Sequence, residues 1–148
     1  MIVVDTTVLV YAVGADHEFR EPSRALVEGI RAGAVRASTT VEVIQEFAHV
    51  RARGRGRKDA MALAAAFADL LAPLLVTTEA HLRAGLALWG RHTSLGAFDA
   101  ILAAAASDAG ATALVSSDRA FARVREVHHV VPDALAVARL LADAGEPR

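Results

Sequence analysis

Three aspartates stand where an alternating chain of strands and helices would bring side chains together. Asp5 ends the apolar run Ile2-Val3-Val4, and Asp118 lies three positions beyond Val115. Asp99 opens the apolar stretch that leads into Leu114-Val115. If the strands before Asp5 and Asp118 are neighbours, all three carboxylates meet at one sheet edge, where open α/β sheets bind ligands. Carboxylates pressed together repel, so without a cation at least one of them holds a proton. Mg²⁺ or Mn²⁺ resolves the repulsion, because hard cations take carboxylate and water oxygens. Each acid also has a plain explanation when taken alone. Asp5 and Asp118 suit helix caps, and Asp99 suits a helix N-terminus. Asp99 is the hardest to explain that way, since it leads into an apolar helix where an unpaired charge is costly.

A fourth acid comes from the helix expected over Val41 to Arg51. At roughly 100° per residue, Val43, Ile44, Phe47, Ala48 and Val50 form its buried face. Glu46 flanks that face, while Glu42 and His49 point more nearly away from it. Glu46 is therefore the preferred fourth acid and Glu42 the second choice.

The elements that position these acids follow from pattern. Ile2-Val3-Val4 is β-branched throughout and reads as a strand buried on both faces. Thr6 or Thr7 caps a helix from Thr7 to about Gly14. Helices are expected over Pro22 to Gly33, Asp59 to Ala72, Thr78 to about Arg91, and Gly96 to Ala109. A last helix runs from Pro132 to about Ala144. Short strands are expected at Val35 to Ala37, Leu74 to Val76, Thr112 to Val115 and Val127 to Val131. Alternation of this kind makes right-handed crossovers and a parallel sheet between helix layers. The reading is one α/β domain over residues 1–144, with a frayed tail at 145–148.

Composition bounds the function. The chain has 148 residues, 54% of them apolar, no cysteine and a formal net charge of −1. Disulfides and cysteine zinc sites are excluded, in keeping with a reducing cytoplasm. No apolar run approaches a membrane span, and Met-Ile-Val-Val-Asp lacks the basic start of a signal peptide, so neither is expected. Nucleic acid would have to be met by a local basic patch or by metal ions that offset the acids.

Four segments, in order, resemble PIN-domain proteins, in particular the VapC-type toxins of type II toxin–antitoxin pairs. They are Met-Ile-Val-Val-Asp5-Thr-Thr-Val-Leu, Thr40-Val-Glu-Val-Ile-Gln-Glu46-Phe, Phe98-Asp99-Ala-Ile-Leu-Ala-Ala-Ala and Leu114-Val-Ser-Ser-Asp118-Arg-Ala-Phe. Glu46 falls at the family's second acidic position, and Ser116 stands where the family has a small hydroxyl residue. Thr7 departs from the family's usual asparagine, which weakens a contact near Asp5 but removes no carboxylate. The resemblance implies a three-layer α/β/α sandwich with a mostly parallel five-stranded sheet of order 3-2-1-4-5. It also implies a metal-dependent endoribonuclease that cuts single-stranded or loop RNA. Asp5, Glu46, Asp99 and Asp118 would hold Mg²⁺ or Mn²⁺, directly or through water, with Asp5 and Asp99 as the primary ligands. Such ions activate water and neutralise charge on a phosphodiester, so no protein nucleophile is required. A homodimer and a VapB-type antitoxin partner are implied as well.

The run Arg51-Ala-Arg53-Gly-Arg55-Gly-Arg57-Lys58 reads as a basic, glycine-containing connection. Arg51, Arg53, Arg55 and Ser116 are candidate substrate contacts, although a solvated loop and helix start explain the arginines better. The six histidines form no ligand spacing, and Trp89 reads as core or dimer interface. Other classes fit less well. A phospho-accepting receiver domain needs a lysine after its fifth strand, and Lys58 is the sole lysine. An aspartyl-nucleophile phosphatase wants an acid at position 7, which is Thr. A catalytically inactive PIN-like binding module is the remaining alternative, and the intact acids argue against it.

Overall fold

The computed structural model describes residues 1–143; the tail expected at 145–148 lies outside them. Strand β1 (Ile2–Val4) is the centre, and all three of its side chains are buried. It pairs in parallel with β2 (Ala37–Ser38) on one side and β3 (Ala113–Val115) on the other. β3 in turn pairs with β4 (His129–Val130), so the order is β2-β1-β3-β4, all parallel. The register Val4↔Val115 and the bond from Asp5 N–H to Val115 C=O (3.0 Å) bring the ends of β1 and β3 level. That is the adjacency the acids needed.

The sheet has four strands where five were expected. The segment Leu74 to Val76 is reduced to one parallel bridge, Leu75 to Thr40, with Leu75 N–H donating to Thr39 C=O (2.8 Å). Pro73 has no N–H to extend the ladder, and its carbonyl is taken by the Ser38 hydroxyl (2.8 Å). With that bridge counted, Leu75 occupies the outer place of the expected order.

Seven helices and one short 3₁₀ turn are present among the described residues: α1 (Thr6–Ala12), α2 (Arg20–Arg31), α3 (Val41–Arg55), α4 (Arg57–Leu70), α5 (Glu79–Arg91), α6 (Ala97–Asp108) and α7 (Ala134–Asp143). α1 packs on α2 and α3, α2 on α7, α3 on α4, and α5 on α6. Sheet and helices close on a core centred on Val3, Leu9, Phe47, Leu114 and Phe121. α5 and α6 meet closely at Gly85, where a Cβ would lie 2.7 Å from the Ile101 backbone. The basic run is not a connection. α3 continues to Arg55, Gly56 turns the chain at φ +83°, and α4 begins at Arg57. Only Gly tolerates that turn well, and the two helices then pack as a hairpin. The last helix starts at Ala134 rather than Pro132, with the Asp133 side chain accepting from Ala136 N–H (2.8 Å).

Candidate active site

Asp5 is both a helix cap and a member of the acidic cluster. It is only 4% exposed. Its Oδ2 accepts from Ser116 Oγ (2.7 Å), Thr7 Oγ1 (2.9 Å) and Thr7 N–H (3.4 Å). Ser116 is fully buried, and its Oγ also accepts from Asp118 N–H (3.0 Å). Ser116, a candidate substrate contact, is a buried link between Asp5 and the backbone of Asp118. Thr7, the departure from asparagine, supplies its own support: its hydroxyl donates to Asp5 and accepts from Ser117 N–H (3.0 Å). As a sequence, Thr6-Thr7 suggests only a cap, and its place directly after Asp5 is the one signal of this further use.

Asp118 is exposed and caps the 3₁₀ turn Arg119–Arg123, its Oδ1 accepting from Ala120 N–H (2.8 Å). Asp99 sits in the first turn of α6, half-buried. Burial pushes its carboxyl up to about 6, and the charges of Asp5, Asp118 and Glu46 push the same way. A backbone hydrogen bond at Gly96 opposes them weakly. Gly96 makes room for this carboxylate, since a Cβ there would stand 2.7 Å from Asp99 Oδ2.

Glu46 reaches the cluster from α3, with its Oε2 accepting from the Thr6 hydroxyl. The expected helix phase is partly wrong. Val50 is 40% exposed, and Glu46 is more open to solvent than Glu42. The buried face is narrower, centred on Val43 and Phe47. Glu46 nevertheless lines both grooves of the acidic cleft, whereas Glu42 lines one of them and accepts from the Thr77 hydroxyl (2.9 Å). Asp5, Glu46 and Asp99 line two grooves at once. One has an apolar wall of Val43, Leu82, Phe98, Ile101 and Leu102 and also takes in Glu42 and Glu79. The other adds Thr6, Thr7, Val10, Tyr11, Val50 and Asp118.

Among the described residues, no arginine or lysine forms an ion pair with any of the four acids. No three acids there form a ready-made metal cage. The hydrogen bonds to protein donors use Asp5 Oδ2, Glu46 Oε2 and Asp118 Oδ1. An all-carboxylate set without a cage suits a hard cation that keeps part of its water shell, as Mg²⁺ does.

The basic run is divided. Arg51 is bound to Asp59 and donates to Val13 C=O (3.1 Å), so it staples α3 to α4 and to the end of α1. That guanidinium holds the Asp59 carboxyl below the usual range. Arg53 and Arg55 do not share this anchoring, and both are exposed. Trp89, expected as core or interface, is 49% exposed on α5.

The family model for the PIN domain matches residues 2–127. The chain is 51% identical to "Ribonuclease VapC7" of Mycobacterium tuberculosis over 144 residues, 97% of this chain and 99% of that protein. It is 33% identical to "Ribonuclease VapC23" of the same organism over 125 residues, covering 82% and 96% of the two chains. Among solved structures it resembles a chain of a toxin–antitoxin complex from Klebsiella pneumoniae, with a TM-score of 0.65 at 16% identity. That likeness covers 89% of this chain and 98% of the other, and speaks to the fold. The chain therefore belongs to the PIN-domain family, among the VapC-type ribonucleases.

Proposed function

We propose that this chain is a Mg²⁺- or Mn²⁺-dependent endoribonuclease, the toxin of a toxin–antitoxin pair, that hydrolyses phosphodiester bonds in single-stranded or loop RNA. The observation that carries the reading is the acidic cluster, in which burial and three neighbouring acids raise the Asp99 carboxyl and, among the described residues, no arginine or lysine pairs with them. Asp5 and Asp99 would hold the cation as primary ligands, with Asp118 and Glu46 completing the set directly or through water. When bound, the ion supplies an acidified water and positive charge toward the phosphodiester. The chain's own residues do the positioning. Ser116 and Thr7 fix one Asp5 oxygen, Thr6 fixes one Glu46 oxygen, and Gly96 leaves space for Asp99. Ser116 is assigned to this positioning, and Arg51 to the fold. Arg53 and Arg55 remain the candidate phosphate contacts.

Partners follow from exposed apolar surface. Leu82, Leu86 and Trp89 recur along α5 at helical spacing and are all more than 40% exposed. Leu82 also lines the apolar groove with Phe98, itself 76% exposed. We assign this surface to a homodimer contact and to an antitoxin segment that reaches the acids with a basic side chain. No helix of the described residues is long and apolar enough to cross a membrane; we place the protein in the cytoplasm, with its RNA.

The purified chain should cut single-stranded RNA with Mg²⁺ or Mn²⁺ and stop on chelation. Equal cutting in excess chelator would overturn the metal mechanism. Glu46→Gln should reduce cutting sharply while Glu42→Gln changes it little, and the reverse result would remove Glu46 from the set. A chain that stays monomeric at high concentration and copurifies with no neighbouring gene's product would count against the partners.

A further inference from the structure

The groove on the α1 side of the acids is bordered by Tyr11, the chain's single tyrosine. Thr7 and Tyr11 are one helical turn apart and line the same groove. Four residues of helix rise about 6 Å, so the backbone of Tyr11 stands roughly that far along α1 from that of Thr7, whose hydroxyl holds Asp5.

The ring belongs to a cluster. His17 stacks on Tyr11 with centroids 4.4 Å apart and planes 26° apart. Phe19 meets the Tyr11 ring edge-on at 5.6 Å and 75°, and lies 5.3 Å from His17. None of the three is part of the hydrophobic core. Tyr11 and Phe19 are half-buried and His17 is exposed, so the stack runs from the groove wall to solvent. Its position is held by the main chain. Phe19 N–H donates to His17 Nδ1 (3.2 Å), Arg24 Nε donates to Ala12 C=O (2.9 Å), and Arg51 donates to Val13 C=O (3.1 Å). Two arginines thus secure the end of α1 where the aromatic loop begins. An aromatic cluster fixed outside the core, on the wall of a groove that holds carboxylates, is placed to meet a flat apolar ligand.

We propose that Tyr11, braced by His17 and Phe19, is a stacking platform for the base of a nucleotide adjacent to the phosphate held at the acids. The proposal rests on the ribonuclease reading above and names the side of the cleft along which the RNA leaves the acids. Splayed bases of single-stranded RNA are taken up on aromatic rings, and each stack strengthens binding by roughly tenfold or more. Every base has a π-face, so the platform fixes the register of the strand with little preference for base identity.

The test uses the full chain and a single-stranded oligoribonucleotide of mixed sequence whose cut position has been mapped. Copies carry one abasic nucleotide at each of the two positions on either side of the cut. For the wild type, KM should rise about tenfold at one of those positions. Tyr11→Ala should show the same rise on the intact strand, no further penalty at that position, and kcat within about twofold of wild type. Tyr11→Phe keeps the ring and should behave as wild type. If Tyr11→Ala does not fold, His17→Ala carries the same comparison, with a smaller rise. An abasic penalty that persists in full in these variants, or a Tyr11→Phe as impaired as Tyr11→Ala, overturns the platform and leaves the ribonuclease reading standing. A wild type that cuts no RNA with Mg²⁺ or Mn²⁺ overturns that reading and the platform with it.

Discussion

Asp5 and Asp99 belong to one cleft and are held in opposite ways. On the sheet side, Asp5 is almost fully buried, yet two hydroxyls and a backbone N–H converge on one of its oxygens. On the helix side, Asp99 has only weak backbone help at Gly96 against burial and three acidic neighbours, and its carboxyl rises to about 6. The difference shows where the fold does the work and where something else must. The sheet edge is organised to keep a carboxylate in one orientation. The start of α6 brings a carboxylate to the same place and leaves its charge unanswered, which is where a proton or a cation enters.

Substitutions can break the two sides separately. Partners that merely orient a metal ligand contribute about 10–100-fold to affinity or activity. Loss of the ligands themselves should therefore cost more than about a hundredfold in cleavage for either Asp5→Asn or Asp99→Asn. Their effects on folding should diverge. Asp5→Asn replaces a carboxylate oxygen that accepts from two hydroxyls and a backbone N–H by a weaker, neutral acceptor, so it should lower the melting temperature. Asp99→Asn removes a repelled charge and should raise the melting temperature of the metal-free protein above about pH 6. A fall of equal size in both variants would erase the contrast.

Ser116→Ala should lower cleavage by about 10–100-fold without changing which RNA is cut, because the lost hydroxyl is buried and donates to Asp5. A change in cleavage position in that variant would return Ser116 to the substrate side. Gly96→Ala should have the smallest effect. Gly96 has φ −71° and ψ 155°, which alanine adopts without strain, so the fold should survive. The added methyl meets Asp99 Oδ2, the movable end of a side chain, and should turn that carboxylate at a cost of about tenfold or less in activity. Full activity would mean that the Asp99 rotamer is immaterial.

The sheet side of the site was largely legible in the sequence, and the helix side less so. Ile2-Val3-Val4 and Ala113-Leu114-Val115 are unbroken apolar runs ending near acids, so their strands follow from patterning, while their adjacency, and with it the meeting of Asp5 with Asp118, follows from the resemblance to PIN domains. The use of Ser116 does not follow, because a hydroxyl's partner is set by a residue 111 positions away. Helical phase favours Glu46 over Glu42, but Val50 is exposed, and it is the Thr6 hydroxyl that distinguishes the two acids. Gly54 and Gly56 make the basic run look like a loop. Only Gly56 takes a positive φ, and Arg51 is tied into the hairpin by Asp59. The outermost strand is shorter than expected because Leu74 to Val76 has strand composition, while a pairing partner exists for Leu75 alone.

The fold gathers four carboxylates at one edge of the sheet, and we propose that a divalent cation relieves their repulsion. The melting temperature between about pH 4 and 8, with and without Mg²⁺, for wild type and Asp99→Asn, tests it most directly. The folded Asp99 carboxyl binds its proton more tightly than the ordinary value of 3.8 allows, up to about 6. Between those values the native state holds more protons than the unfolded chain, so stability falls as pH rises through the window and levels off above it. The Asp99→Asn variant has no such titration at this position, and the difference between the two profiles isolates Asp99. Without metal, wild type should lose stability relative to Asp99→Asn from about pH 4 to 6. Mg²⁺ should restore wild type above about pH 6 and have little effect on the variant. Superimposable pH profiles, or an equal gain from Mg²⁺ in both proteins, would remove Asp99 as the repelled carboxylate that a cation relieves.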